Sequence, residues 1–269
     1  MSESNANHAK DYLWLHVRSL PYFRSLLRAV EARFYQGIEL PAPTLDLGCG
    51  DGHFASIAFD RKLEVGLDPW GASLREAATW SGYQSLVQAE GSQIPFTNGY
   101  FNSAVSNSVL EHIPDIDAVL IETQRVLKPG APFIFCVPNH QLLPELSIAR
   151  LFDGIRIHKL ANAYRNFFNR IARHYHADPP EIWEERLTRT GFQIDSWWHY
   201  FSPQATALME WGHYFGLPSL ISRWLTGHWI LVPERWNLGI TYRLVKPYYD
   251  QDPVMDSGTY TFFIARRSE

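Results

Sequence analysis

Cysteine is scarce: Cys49 and Cys136 are the only two in 269 residues. Both fall at expected core or motif positions, which excludes a disulfide framework and fits a reducing, cytoplasmic setting. A basic surplus is also missing. The 24 Lys and Arg stand against 28 Asp and Glu, for a net charge of −4. Nothing there would neutralise a phosphate backbone, so no nucleic-acid partner is expected. Long apolar runs are absent too. The strongly apolar stretch Leu217 to Val232 is broken by Arg223 and His228, short of the roughly 18 clean residues that a membrane span requires. The opening MSESNANHAK has no apolar segment of the kind a signal peptide carries. Aromatics, by contrast, are plentiful. There are 10 Trp, 13 Tyr and 16 Phe, with Trp concentrated from Trp183 onward. With 46% apolar and 19% charged residues, the chain reads as one large globular domain, or one domain with a cap.

The informative stretch is Thr44 to Trp70, TLDLGCGDGHFASIAFDRKLEVGLDPW. An apolar run reaches Asp46, and glycines follow at Gly48, Gly50 and Gly52. A helix-compatible segment (His53 to Phe59) leads to a second apolar run, Leu63 to Leu67, closed by Asp68. Strand, glycine turn, helix, strand and acid make half of a nucleotide-binding α/β unit. Glycine lets the backbone approach a ligand and take positive φ without penalty. An acid ending the second strand can accept two hydrogen bonds from the vicinal hydroxyls of a ribose. An adenosine-type cofactor is expected.

Which one depends on two residues. In the dinucleotide fingerprint G-x-G-x-x-G the third glycine would fall at His53, whereas here it comes one position early, at Gly52. Asp46 would repel a pyrophosphate but suits a ligand bearing an ammonium group. S-adenosylmethionine has an ammonium and a sulfonium and no phosphate.

LDLGCGDG followed by VGLDPW resembles motif I and the following acidic motif of the class I S-adenosylmethionine-dependent methyltransferases. Further on, Glu90-Gly91 with Ile94-Pro95-Phe96 is similar to that family's Asp-Ala-x-x-Leu-Pro-Phe, with glutamate replacing the acid that meets the adenine amino group. The run FNSAVSNSVLEHIPDIDAVL resembles the family's fourth strand and its sequel, with Asn102 where an acid is common. RVLKPGA matches Arg-x-Leu-Lys-Pro-Gly-Gly, with Ala131 at the second glycine. Four motifs in order, Thr44 to Asn139, cover about a third of the chain. The overall pattern resembles the small-molecule (type 11, ubiquinone- and menaquinone-biosynthesis-like) branch.

The resemblance implies an α/β, Rossmann-like fold. Its sheet would be mostly parallel and seven-stranded with an antiparallel last strand, plus helical, aromatic-rich cap insertions. It also implies S-adenosyl-L-methionine as cofactor, held by Asp46, Gly48, Cys49, Gly50, Gly52, Asp68, Pro69, Glu90, Gly91 and Asn107. The function it implies is methyl transfer to a small acceptor. An NAD(P)-dependent oxidoreductase and a non-catalytic methyltransferase-fold binding protein remain the alternatives.

Around this core, Tyr22 to Phe34 is an amphipathic helix with Arg24, Arg28 and Glu31 expected outward. The expected organisation is N-terminal helices over the cleft (1–43), a cofactor core (44–139), a lid insertion (140–180) and the rest of the core (181–269). Within that last part, 202–258 is too long for a simple loop and reads as an ordered Trp-rich cap. That region could be cap core, homodimer interface or peripheral membrane surface. The burial preference of tryptophan favours the first.

Methyl transfer needs alignment, exclusion of water and sometimes a base. The histidine candidates nearest the expected cleft rim are His112 and His176. His174-x-His176 would share one face of an extended segment, but no third ligand is placed by sequence, so no metal centre is expected. No Asn-Pro-Pro-Tyr or Asp-Pro-Pro-Tyr motif follows the fourth strand, where Ser106-Asn107-Ser108-Val109 stands instead. That favours oxygen or carbon acceptors, and the aromatic content favours an apolar or flat one.

Overall fold

The computed structural model describes residues 10–269. The stretch 1–9, most of the segment read as lacking a signal peptide, lies outside the described residues. Two helices come first, α1 (Tyr12–Val17) and α2 (Tyr22–Phe34). Then β1 (Thr44–Leu47), α3 (His53–Ala58), β2 (Leu63–Asp68), α4 (Gly71–Ala77), β3 (Tyr83–Gln88), β4 (Ser103–Asn107), α5 (Ile116–Val126) and β5 (Pro132–Pro138) follow. Beyond lie α6 (Ser147–Gly154), α7 (His158–Ala172), α8 (Pro180–Arg189), β6 (Phe192–Tyr200), α9 (Pro203–Phe215), α10 (Leu217–Thr226), α11 (Arg235–Tyr249) and β7 (Tyr260–Arg267).

The seven strands form one sheet in the order β3-β2-β1-β4-β5-β7-β6. β1 to β5 pair in parallel, while β7 runs antiparallel between β5 and β6. The fold is the Rossmann-like α/β architecture that the motifs imply. Strand order reverses between β1 and β4, so their carboxyl ends open a crevice.

Period-two alternation fills both faces. In β5, Phe133, Phe135 and Val137 join one core while Ile134 and Cys136 join the other. Helices α5 and α8 cover the first face. There Trp183 is fully buried, its ring 5.3 Å from Phe135 and 6.1 Å from Phe263. Helices α1, α2, α3, α9 and α11 cover the second. Both cysteines are buried free thiols.

Three departures matter for the site. Glu31 is fully buried rather than outward, because α2 is packed by α9 and α11 and Tyr200 at the end of β6 donates to the Glu31 carboxylate. Residues 140–180 form α6 and α7, which dock on α9. Glu210 accepts from Ser147 N and Oγ, both 2.6 Å, and from Tyr164 Oη, 2.7 Å. That carboxylate satisfies otherwise orphaned donors at the start of α6. Third, α10 and α11 are turned inside out. Arg223 of α10 points inward to Glu76, 2.6 Å away, while Leu220, Ile221, Trp224 and Leu225 are exposed. On α11, Trp236, Ile240 and Leu244 are exposed, and Leu238 and Val245 face in. Trp224 and Trp236 are 83% and 78% exposed, so neither belongs to a cap core.

Candidate functional site

The glycine turn after β1 takes the backbone that glycine permits. Gly48, Gly50 and Gly52 have φ of +77°, +55° and +73°. A Cβ on Gly48 would lie 2.4 Å from Val109 Cγ1, whereas one on Gly50 would meet nothing within 4 Å. The first glycine is required by packing, the second faces open space. Gly48 N and Cys49 N donate to the Leu67 carbonyl, at 2.8 and 3.0 Å, which ties the turn to the end of β2.

Asp68 closes β2 and is buried. One carboxylate oxygen accepts from Gly50 N at 3.0 Å and the other from Trp70 N at 2.9 Å. Each oxygen keeps a further lone pair, in a carboxylate whose orientation the backbone sets. Asp46 lies across the turn, with Tyr83 Oη donating to its Oδ2 at 2.5 Å. Burial pushes the Asp46 carboxyl up to about 6 against the opposing pull of the Tyr83 hydrogen bond. Burial also drives the Cys49 thiol far up, so it stays a neutral neighbour.

These groups border a cavity of about 810 Å³ at the carboxyl ends of β1, β2 and β4. Asp46, Gly48, Cys49, Gly50, Asp68, Pro69, Glu90, Gly91, Asn107 and His112 all line it. Gly52 does not. It sits at the start of α3, where a Cβ would come 2.9 Å from that of Ala77. Residues 140–180 contribute no lining side chain; α2 supplies Arg24 and Arg28, α10 supplies Arg223, and α3, α4 and α5 add His53 and Phe54, Ser73 and Glu76, and Val119.

Sequence reasoning missed the network beneath this floor. Buried Glu31 accepts from Arg28 Nη1 (3.0 Å), Asn107 Nδ2 (2.7 Å), Ser108 Oγ (3.0 Å) and Tyr200 Oη (2.9 Å). Arg28 Nη1 also donates to the Asn107 carbonyl at 3.2 Å. Burial works against the Arg28 charge, but Glu31 outweighs it and holds the guanidinium protonated. Ser108, just past β4, has φ of +52°, a left-handed turn that brings its hydroxyl back to Glu31.

The two histidine candidates part company. His112, in the 3-10 turn Leu110–His112, lines the cavity. Its Nδ1 lies 3.1 Å from the Arg173 carbonyl, which can only accept, so Nδ1 carries the proton and Nε2 is left bare. His176 does not line the cavity. Its Nε2 donates to the Ile113 carbonyl at 2.9 Å, and Arg186 and Asp178 flank the ring, so it is a strut behind the rim. The His174–His176 pairing dissolves likewise. His174 instead meets His112, ring centroids 5.3 Å apart, beside buried Glu111. Burial pushes the Glu111 carboxyl up to about 8 and the His174 ring down to about 4.

Comparison with known proteins bears on this geometry. Residues 45–135 match a family described as a methyltransferase domain. A malonyl-[acyl-carrier protein] O-methyltransferase of Pseudescherichia vulneris is 32% identical over 123 residues, covering 45% of this chain and 49% of that one. The corresponding protein of Legionella pneumophila is 24% identical over 159 residues, covering 55% and 53%. The chain thus spans about half the length of these curated relatives. Among solved structures, a Haemonchus contortus phosphoethanolamine N-methyltransferase 2 in complex with S-adenosyl-L-methionine superposes with a TM-score of 0.53. It is 18% identical, over 90% of this chain and 52% of that one. A possible histamine N-methyltransferase from Thermotoga maritima gives a TM-score of 0.52 at 14% identity, over 95% and 93%. At such identities the likeness speaks for the fold.

Proposed function

We propose that this chain, whose residues 45–135 form a class I S-adenosylmethionine-dependent methyltransferase domain, methylates an oxygen or carbon of a small apolar or aromatic acceptor. The observation that carries the reading is Asp68. It is a buried carboxylate oriented by two backbone amides at the strand-order switch, with free lone pairs on both oxygens beside an open glycine turn. That donor and acceptor set fits a ribose diol, and Asp46 fits an ammonium group. Gly48, Cys49, Gly50 and Pro69 provide close backbone approach, and Glu90, Gly91 and Asn107 complete the wall. Gly52 serves by shaping the turn.

When bound, S-adenosylmethionine supplies a methyl group already activated by its sulfonium. What remains for the protein is to align the acceptor, exclude water and accept a proton where the acceptor has one. His112 is the histidine candidate that reaches the cavity, and its bare Nε2 can take a proton or a ligand. The division into N-terminal helices, core and two insertions belongs to this reading, with α2 and α10 closing the cleft.

The test is calorimetric titration with S-adenosylhomocysteine at two pH values. A carboxyl held near 6 is mostly neutral at pH 5 and ionised at pH 7, and only the ionised form attracts the ligand's ammonium. Affinity should rise about tenfold from pH 5 to pH 7, and this slope should vanish in Asp46→Asn. Absence of binding at either pH, with NAD(H) binding instead, would move the assignment to an oxidoreductase. Binding with no transfer across a broad acceptor panel would favour a binding protein.

The acceptor's apolar character draws support from the outward faces of α10 and α11. No described helix is long and apolar enough to cross a membrane. An amphipathic helix with its apolar stripe outward, tryptophan on it and basic residues near by is suited to an anionic bilayer surface. From Gly216 to Tyr249 the chain has four Lys or Arg and one Glu. Co-sedimentation with phosphatidylglycerol vesicles should be seen, and should be lost in Trp224→Ala/Trp236→Ala. A concentration-dependent dimer that ignores vesicles would assign the same face to self-association.

A further inference from the structure

We propose that Glu111, His112 and His174 form a divalent-metal site in the wall of the cofactor cavity, for an ion that takes nitrogen and oxygen ligands, such as Zn²⁺. One ligand atom from each residue lies within 4.8 Å of the other two. The Glu111 Oε1 to His112 Nε2 distance is 3.8 Å.

Two further features point to a ligand. Glu111 is 2% exposed, yet its Oε2 has no hydrogen-bond partner, and His174 Nδ1 is likewise buried and unpartnered. Orphaned buried polar atoms are costly and uncommon, and here a carboxylate oxygen and an imidazole nitrogen are orphaned in the same cluster. An ion would satisfy both. In addition, the outer nitrogen of one of the two imidazoles is already held. The Arg173 carbonyl fixes the His112 tautomer so that Nε2 faces the cluster as a bare donor, the usual arrangement behind a ligating histidine.

The backbone brings distant segments together to make the site. Glu111 and His112 follow β4, whereas His174 follows α7. Arg173 ends α7 in a left-handed turn, φ +56°, and the chain then plants itself on the 3-10 turn. Tyr175 N and His176 N donate to the Glu111 carbonyl at 2.7 and 3.3 Å. Metal–ligand bonds of about 2.0–2.2 Å place tetrahedral ligand atoms roughly 3.3–3.6 Å apart. The three atoms would therefore close by about 1 Å, a movement within reach of side-chain torsions. Two imidazoles and one carboxylate suit first-row transition ions and leave a coordination position open.

Because His112 lines the cavity, the ion would border the acceptor's space, and His112 Nε2 would then be a ligand rather than a base. This extension rests on the methyl-transfer reading. A hydroxyl acceptor on the ion would lose its proton to solvent more readily, its oxygen would bond the methyl carbon, and the C–S electron pair would stay on sulfur.

The test uses the full chain after chelator treatment and dialysis, with no cofactor present. Titration with ZnCl₂ should show one ion per chain, and Co²⁺ should give visible d–d bands of a nitrogen-containing site. Glu111→Gln and His174→Ala should each weaken Zn²⁺ binding by about 100-fold, while His158→Ala, on an exposed ring, should not. Circular dichroism checks folding. If either variant fails to fold, His112→Gln, on a half-exposed side chain, replaces it. No ion bound by the unaltered chain, or binding that survives these substitutions, overturns the proposal. Since the titration needs no S-adenosylhomocysteine, its outcome is independent of the cofactor test above.

Discussion

Replacing Asp68 with alanine is expected to weaken S-adenosylhomocysteine binding by about 100-fold. A hydrogen bond to a charged group contributes about 1.5–3 kcal/mol. Two of them to a ribose diol, even at the low end, correspond to roughly two decades of affinity. A second loss adds to the first. The Gly50 and Trp70 amides lose their acceptor, at 3.0 and 2.9 Å, so the glycine turn is no longer anchored to β2. Asp68→Asn separates the two contributions. It keeps one acceptor oxygen in place, and its loss should be about tenfold by the same reckoning. Calorimetry on both variants, with thermal unfolding of the free proteins alongside, gives the comparison. An Asp68→Ala affinity within a few-fold of the unaltered chain would remove Asp68 from the site.

The next largest effect is on stability. Glu31→Ala should lower the free energy of unfolding by about 3–5 kcal/mol, because it leaves a partly buried guanidinium and three further donors without their acceptor. Urea denaturation would read this as a fall in midpoint at little changed slope. The partners explain why the cost is high. Arg28, Asn107, Ser108 and Tyr200 all converge on the one carboxylate, from α2, the end of β4 and β6. Removing the charge on both sides should recover much of the loss, so Glu31→Ala/Arg28→Met should be clearly more stable than Glu31→Ala alone. If Glu31→Ala cost under about 1 kcal/mol, Glu31 would be behaving as a surface residue.

Glu31 also marks where the sequence stops being legible. Strands β1, β2 and β5, the glycine turn and α8 with Pro180 at its start are written locally, in apolar periods, acids and turn residues. The order of four motifs then carried the whole parallel half of the sheet, with the cavity wall from Asp46 to Asn107. Glu31 offered no such signal. On α2 it sits where a one-faced helix would show it to solvent, and the partners that enclose it, Asn107, Ser108 and Tyr200, lie far along the chain. β3 is harder to see, because it is the sheet's edge strand, and exposed Gln84 and Ser85 hide its start. Leu217 to Val232 reads as a strongly apolar run broken by Arg223 and His228, and such a run does not say which way its apolar side chains face. Arg223 decided that by reaching Glu76. His174 looked paired with His176 by spacing, yet the left-handed turn at Arg173 sends the first to His112 and the second to Ile113.

The central claim is that the crevice above β1, β2 and β4 holds S-adenosylmethionine through Asp68. A crystal structure of the chain with S-adenosylhomocysteine tests it most directly. Density is expected in this cavity, with both ribose hydroxyls within hydrogen-bond distance of the Asp68 carboxylate and the ammonium beside Asp46. Density elsewhere, or a ligand here whose ribose leaves Asp68 bonded to Gly50 and Trp70 alone, would contradict it.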